Sequence, residues 1–226
     1  MYYAVTFVVG ERTINSWTDW HLVPSSRPVI QPPKPKKTMI DIPGSSNRID
    51  LTETLAGDVT YSNRTGSIEF IVNPLREEYT WYDIYNMVMN DVHGRRVKIS
   101  LEEEPDWYYE GRVEVNNWAS NEDYSRITLD YDLDPFKYDA QATTHTVALT
   151  STEETVQYTY NGRMPVLPRF EVTGNNATAT ISFKGTTYTI TPTTGGIASV
   201  PFEQGTNTLQ VQGSGTLTIS YRGGKL

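Results

Sequence analysis

Apolar and polar residues alternate at an even interval along much of this sequence, and this pattern restricts the fold more than any other feature. In the stretch Arg96–Glu102 the residues are alternately polar and apolar, which is typical of a strand with one buried face. Val97, Val113 and Leu129, each in such a stretch, lie 16 residues apart. The spacing predicts an antiparallel meander, with the acidic run Glu102–Asp106 as a solvated hairpin turn.

The predicted sheet has an extension and one irregular position. The alternating stretch Ile68–Val72 precedes the meander and is expected to join it. Trp118 is out of phase with Val113 and Val115. Two explanations fit: a β-bulge near Asn116–Asn117, or packing of Trp118 on the second face of the sheet.

One segment between the predicted strands has a helical period instead. Its apolar residues recur at intervals of three and four, so one face of a helix accounts for them as core packing and no cofactor-binding role is needed. Glu77 and Glu78 fall in the expected first turn, where negative charge suits the helix dipole. His93 and Gly94 are expected to close the last turn. The apolar face consists of Trp81, Ile84, Tyr85, Val88, Met89 and Val92.

The segment Gln31–Lys37 holds three prolines and three lysines. Proline lacks the amide hydrogen that a regular ladder needs, so this segment is expected to run as an extended connection or rigid arm. A ligand for an SH3-type partner is the alternative. The opening stretch Met1–Gly10 lacks the features of a signal peptide and is expected to form a strand, and no apolar stretch is long enough to span a bilayer.

The composition changes near residue 140. Residues 141–226 contain 20 Thr, no Trp and only 7 of the 26 aromatic residues. Short alternating stretches separated by glycine turns at Gly185, Gly195–Gly196, Gly205 and Gly213 are typical of a small sandwich or jelly roll. The fold is therefore expected to be mainly β with one helix, in two domains, residues 1–140 and residues 141–226.

Charge and residue types argue against several functions. Residues 1–140 carry 23 acidic and 14 basic residues, a net charge of −9 that disfavours a grip on phosphates. The chain has no Cys, and its three histidines have no metal-ligand spacing. No nucleophile elbow or phosphate-binding loop is present. A glycosidase pair or calcium cluster in Glu102–Asp106 is less simple than a solvated hairpin, because adjacent strand residues point to opposite faces. We expect no enzyme activity, cofactor or metal.

Several stretches of the sequence in combination resemble one known family. They are Trp17–Pro28, Gln31–Lys37, Ile40–Gly44, Ile49–Glu53, Tyr61–Arg64, Gly66–Phe70, His93–Arg96, Tyr109–Arg112, Asp130–Tyr138 and Ile219–Leu226. Together they resemble the distal tail protein family of long-tailed bacteriophages. The likeness covers nearly all of the first predicted domain and the end of the chain.

The resemblance implies a structural virion protein. It implies an N-terminal β-sandwich with one helix that assembles as a hexameric ring at the tail tip, and a projecting jelly-roll or galectin-like domain. The ring would join the tail tube protein to the tail-tip, tail-associated and receptor-binding proteins, and its lumen would let DNA pass. The protein would be made in the host cytoplasm and located in the virion, without membrane insertion. The second domain is short, which puts sugar binding in doubt.

A closed ring requires two complementary surfaces on each subunit. The segment Trp17–Pro28 is the candidate for one of them. Its residues Trp17, Asp19, Trp20 and Arg27 combine large apolar area with opposite charges, as interface hot spots do. The alternative is that both Trp residues belong to the core.

Two other functions are compatible with parts of the sequence. The Thr-rich second domain and its residues Tyr158, Tyr160 and Tyr188 are compatible with a carbohydrate-binding module for adhesion. Alternation, however, places most of these aromatic residues on the inner face, where they would form core. A glycan hydrolase using Glu102–Asp106 lacks a second placed carboxylate.

Overall fold

A computed structural model describes residues 3–54, 56–72, 79–120, 125–192 and 200–226 of the chain. The chain divides into two compact units, which we call the first unit (residues 1–137, with Leu226) and the second unit (residues 138–225). The described residues are mostly strand with a single helix, so the expected mainly-β fold is confirmed. That residues 1–140 and 141–226 fold as separate domains stays a prediction.

Seven strands of the first unit lie side by side in one antiparallel sheet. Its strands follow the order β2-β1-β7-β8-β9-β6-β3, so the predicted meander is confirmed as β7-β8-β9 with β6 beside it. A separate hairpin joins β4 to β5. The elements are β1 (Val5–Val9), β2 (Arg12–Asn15), β3 (Leu22–Pro24), β4 (Met39–Asp41), β5 (Arg48–Asp50), β6 (Arg64–Val72), α1 (Trp81–Val92), β7 (Arg95–Leu101), β8 (Trp107–Ser120) and β9 (Ser125–Leu133).

A bulge explains the irregular position in β8. Pairing with β9 shifts register between Val115 and Asn117, and beyond the shift Trp118 lies opposite Ile127. Residues directly opposite each other in an antiparallel pair share a face, and Ile127 is fully buried. The bulge therefore returns Trp118 to the core side of the sheet, and packing on the second face is excluded.

Helix α1 begins and ends with local signals. Thr80 caps the first turn, since its hydroxyl accepts from the amide of Asp83 while the Asp83 carboxylate accepts from the amide of Thr80. Ile84, Val88 and Val92 are buried, as the helical period predicts. The predicted C-terminal glycine is confirmed, since Gly94 follows the helix with a φ of +71°. Glu77 and Glu78 lie outside the described residues.

The second unit is built on a five-stranded antiparallel sheet in the order β11-β15-β13-β14. One edge of the long strand β15 pairs with β11 through its second half and with β12 through its first half, while β13 pairs along the other edge. The elements are β10 (Lys137–Asp139), β11 (Thr143–Leu149), β12 (Glu154–Tyr160), β13 (Arg169–Phe183), β14 (Thr186–Ile190), β15 (Gly205–Tyr221) and β16 (Gly224–Lys225).

The expected turn at Gly213 is wrong, because β15 continues through it. Gly213 has a φ of +153° and Gly215 a φ of +94°, and a Cβ on Gly213 would lie 2.0 Å from the carbonyl oxygen of Thr178. The register of β13 shifts at the same level, between Thr173 and Thr178. These glycines therefore bend a continuous strand instead of ending it. Of the other predicted turns, Gly195–Gly196 lies outside the described residues.

Candidate functional site

Trp20, one of the four predicted contact residues, lies in the core of the first unit. Its side chain is 1% exposed and its ring centroid is 5.0 Å from that of Phe7. The indole Nε1 donates to Asp91 Oδ2 at 3.0 Å, and the other Asp91 oxygen binds Arg12 at 2.8 Å. Trp20 thus links Phe7 of β1 to Asp91 of α1 and has no exposed surface for a ring contact in this protomer.

The other three predicted residues retain accessible surface. Asp19 accepts from the Asn15 amide at 2.7 Å and the half-buried Trp17 donates its amide to the Asn15 side chain at 2.9 Å, so both belong to one tight turn. Arg27 is exposed and pairs with Glu103 through its Nε. That these residues form a ring contact stays a prediction.

The acidic run Glu102–Asp106 is not simply solvated, which corrects the sequence-based interpretation. Glu104 is half-buried and accepts from Tyr109 Oη at 2.9 Å and from Lys137 Nζ at 2.9 Å. Burial by itself would raise the pKa of Glu104, but the hydrogen bonds from Lys137 and Tyr109 outweigh it and lower that pKa. Burial, together with the hydrogen bond to Glu104, raises the pKa of Tyr109.

A buried guanidinium extends this network. Arg64 is 4% exposed, donates to the carbonyl oxygens of Pro135 at 2.8 Å and Gln31 at 3.1 Å, and lies 5.4 Å from the centroid of the Tyr109 ring. Desolvation lowers the pKa of Arg64. Tyr131 Oη accepts from the Gln31 amide at 3.0 Å. Gln31 is therefore held on both its backbone groups, by Arg64 and by Tyr131.

From Gln31 the chain leaves the sheet as a ribbon, which we call the arm (residues 31–54 and 56–62). Its two sides are joined by the bridge between Pro35 and Tyr61, by Lys36 amide to Thr60 oxygen at 2.8 Å, and by the β4-β5 hairpin. Every residue from Lys34 to Asp50 is exposed. The proline-lysine segment is thus one side of an extended, paired ribbon.

The arm exposes large apolar side chains. Met39, Ile40, Ile42 and Ile49 are between 38% and 47% exposed. Ile40 lies directly opposite Ile49 in the hairpin, so the two share a face. Neighbouring positions on the other face carry the Arg48–Asp41 ion pair, with an N–O distance of 2.7 Å. The hairpin is therefore amphipathic although neither face is covered.

A second exposed apolar surface lies where α1 begins. We call it the aromatic patch: Trp81, Tyr82, Tyr85 and Trp118. The ring centroid of Trp118 is 5.6 Å from that of Trp81, 5.8 Å from that of Tyr82 and 4.9 Å from that of Tyr85. Tyr82 is 63% exposed. The patch depends on the bulge in β8, which turns Trp118 toward the helix.

The histidines occupy three separate structural positions. Buried His21 has a left-handed backbone with a φ of +57° and stacks on Tyr79 at 4.9 Å. His93 accepts from the Val115 amide at 3.0 Å, and His145 contacts Tyr158 at 4.5 Å. Within the ranges that the structure describes, no three His, Asp or Glu side chains form a group that could hold a metal ion. No helix there is long and apolar enough to cross a membrane.

The tyrosines considered for sugar binding face the core of the second unit. Tyr160 is buried, donates to the Met164 carbonyl at 2.7 Å and accepts from the Gly224 amide at 3.0 Å. Tyr158 and Tyr188 are partly buried and pack against the same core. Their arrangement agrees with the inward orientation that alternation predicts.

Comparison with known proteins gives a likeness of fold. No protein-family model matches the chain, and no curated protein matches it in sequence. Among solved structures, the crystal structure of the SPP1 Dit (gp 19.1) protein, described as a paradigm of the hub adsorption apparatus in phages that infect Gram-positive bacteria, matches with a TM-score of 0.65. The match has 14% sequence identity and covers 98% of this chain and 99% of that one. This chain therefore has a fold similar to that of a phage hub protein over nearly its whole length.

Proposed function

We propose that this protein is a structural component of a phage tail tip, of the distal tail protein kind, and that it acts by assembly and not by catalysis. The observation that carries the proposal is the full-length likeness in fold to a hub protein of a phage adsorption apparatus. A likeness limited to one unit would be weak support, because single β-domains recur in unrelated proteins. Here it extends over 98% of the chain. The sequence stretches that resemble the same family support it independently.

We further propose that six copies form a ring. Ring formation requires that one surface of each subunit meets a different surface of the next. The exposed arm supports this part of the proposal, since soluble monomers rarely display large apolar side chains together without a partner. An arm that docks on the neighbouring copy would cover Ile40 and Ile49.

The ring would connect the tail tube protein to the tail-tip and receptor-binding proteins of the virion, after synthesis in the host cytoplasm. Its lumen would give DNA a passage. The net charge of −9 over residues 1–140 supports this role, because an acidic wall does not retain a polyanion. No contact among the described residues of the second unit favours carbohydrate binding.

Two measurements test the proposal. Native mass spectrometry of the purified protein at high concentration, alone and with a co-expressed tail neighbour, should detect a species near six times 25.6 kDa, or about 154 kDa. Immunogold electron microscopy of purified virions should label the distal end of the tail. A protein that stays monomeric under all these conditions and is absent from virions would refute the proposal.

A further inference from the structure

Two stretches of the first unit that are far apart in sequence meet at one buried side chain. One is the root of the arm, which we define as Gln31 and residues 61–62. The other is the exit segment, residues 134–137, which ends the first unit. Arg64 lies just beyond the end of the arm, as the first residue of β6. It donates to the carbonyl oxygens of Gln31 at 3.1 Å and Pro135 at 2.8 Å, so one guanidinium binds both stretches.

The root of the arm is packed closely against its surroundings. Gln31 and Tyr131 both lie over Gly66, since a Cβ on Gly66 would be 2.4 Å from Tyr131 Oη and 3.3 Å from Gln31 Cγ. On the return side of the arm, the ring centroid of Tyr61 is 6.0 Å from that of Phe136. The root therefore contacts the exit segment directly as well as through Arg64.

The chemistry of arginine explains how one side chain can join two stretches. Its guanidinium is a planar fork, and here Nε donates to Pro135 while Nη1 donates to Gln31. Arg64 is 4% exposed, and the Glu104 carboxylate attracts its charge. A buried charged donor that loses its acceptor is left unsatisfied at a high cost in free energy. Each hydrogen bond therefore holds the guanidinium where the other one needs it.

We propose that Arg64 couples the arm to the exit segment, so that loosening either stretch loosens the other. The coupling is reciprocal, because a coupling free energy acts equally in both directions. It belongs to a single protomer and does not rest on the proposed ring. In that ring, an arm held by a neighbouring copy would in turn hold the exit segment in place.

Hydrogen exchange of two backbone amides reports on the two stretches separately. The Ser62 amide, at the root of the arm, donates to the Lys34 oxygen at 2.9 Å. The Asp134 amide, in the exit segment, donates to the Glu110 oxygen at 2.7 Å. Both amides are protected by these bonds, so faster exchange at either one measures local opening of its stretch.

Two substitutions loosen one stretch each. Lys137→Met removes the bond from the exit segment to Glu104, and Tyr131→Phe removes the acceptor of the Gln31 amide while it keeps the ring. We expect Lys137→Met to speed exchange at Ser62 about 5-fold, and Tyr131→Phe to speed exchange at Asp134 by a similar factor, as for the loss of one hydrogen bond.

A third substitution tests whether these effects pass through Arg64. Arg64→Lys keeps the charge but replaces the fork with one compact ammonium group, so in this background Lys137→Met should no longer change exchange at Ser62. The matched control is Arg112→Lys, because Arg112 also donates to a backbone oxygen, that of Gly94 at 2.6 Å, and belongs to neither stretch. In the control background the effect of Lys137→Met on Ser62 should persist.

The outcomes separate this inference from the proposed function. An equal effect of Lys137→Met on Ser62 with Arg64 and with Lys at this position overturns the coupling. If Arg64→Lys does not fold, the two single variants still decide, because the absence of either effect across the two stretches refutes it. The measurements use the full chain without tail partners, so a negative result leaves the proposed function standing. Absence of the protein from virions refutes the function and leaves the coupling intact.

Discussion

Replacing Trp20 by alanine tests whether this residue belongs to the core or to an interface. The side chain is fully buried against Phe7, and removing a buried Trp typically costs about 3–5 kcal/mol. The hydrogen bond to Asp91 is lost in the same change. With an m-value of about 2 kcal/mol/M in urea, a loss of about 4 kcal/mol lowers the unfolding midpoint of the first unit by about 2 M.

The assay follows from where tryptophan occurs. All five Trp residues lie at or before Trp118, so Trp fluorescence in urea reports on the first unit of the full chain. Trp20→Phe removes the donor to Asp91 and part of the bicyclic ring, and loss of the hydrogen bond to a charged partner alone should cost about 1.5–3 kcal/mol. Trp17→Ala, at a half-buried turn position, should cost less than Trp20→Ala. If Trp20→Ala unfolds in urea like the unsubstituted protein but no longer forms the hexameric ring, the assignment of Trp20 to the core is refuted.

Three other predictions concern different parts of the chain. Because its folded-state pKa is lowered, Glu104 should contribute stability that is complete above its usual pKa near 4.5 and is lost as the pH falls below it. Glu104→Gln should therefore make the free energy of unfolding less dependent on pH in this acid range. An unchanged pH dependence in the variant would count against the prediction. Gly213→Ala should destabilise the second unit by more than about 1 kcal/mol, measured by circular dichroism melting, since its Cβ would meet the Thr178 carbonyl; a neutral effect would contradict the strained bend. The fragment 1–140 should fold alone with cooperative unfolding, and an insoluble or molten fragment would place the boundary elsewhere.

Periodic features of this fold could be predicted from the sequence. Val97, Val113 and Leu129 lie 16 residues apart on three neighbouring strands. Each hairpin brings the chain back with its apolar residues on the same face of the sheet, so an even spacing indicates neighbouring strands. The helical period and Gly94 locate α1 and its end. These features are local, so short windows of sequence contain all the information that they need.

Features that depend on distant residues could not be predicted. Glu104 resembles a solvated turn residue until Lys137 supplies its partner, and Gly213 resembles a turn until β13 runs beside it. The burial of Trp20 depends on Asp91, 71 residues away. The out-of-phase position of Trp118 was a partial sequence signal for the aromatic patch. Only the bulge in β8 decides on which face of the sheet this residue lies. No pattern in Gln31–Lys37 indicates that a paired ribbon follows.

The position of β15 in the sheet determines when the second unit can fold during synthesis. This strand pairs with β11, β12 and β13, yet it follows all of them along the chain. The sheet therefore cannot form until residues up to Tyr221 are made, 88 residues after Leu133, where β9, the last of the seven strands of the first unit, ends. At about 5–20 residues per second, the first unit has about 4–18 seconds on the ribosome to fold and display its arm. In the proposed ring, whose subunits meet through their first units, neighbouring nascent chains on one messenger RNA would then be able to associate while their second units are still unstructured.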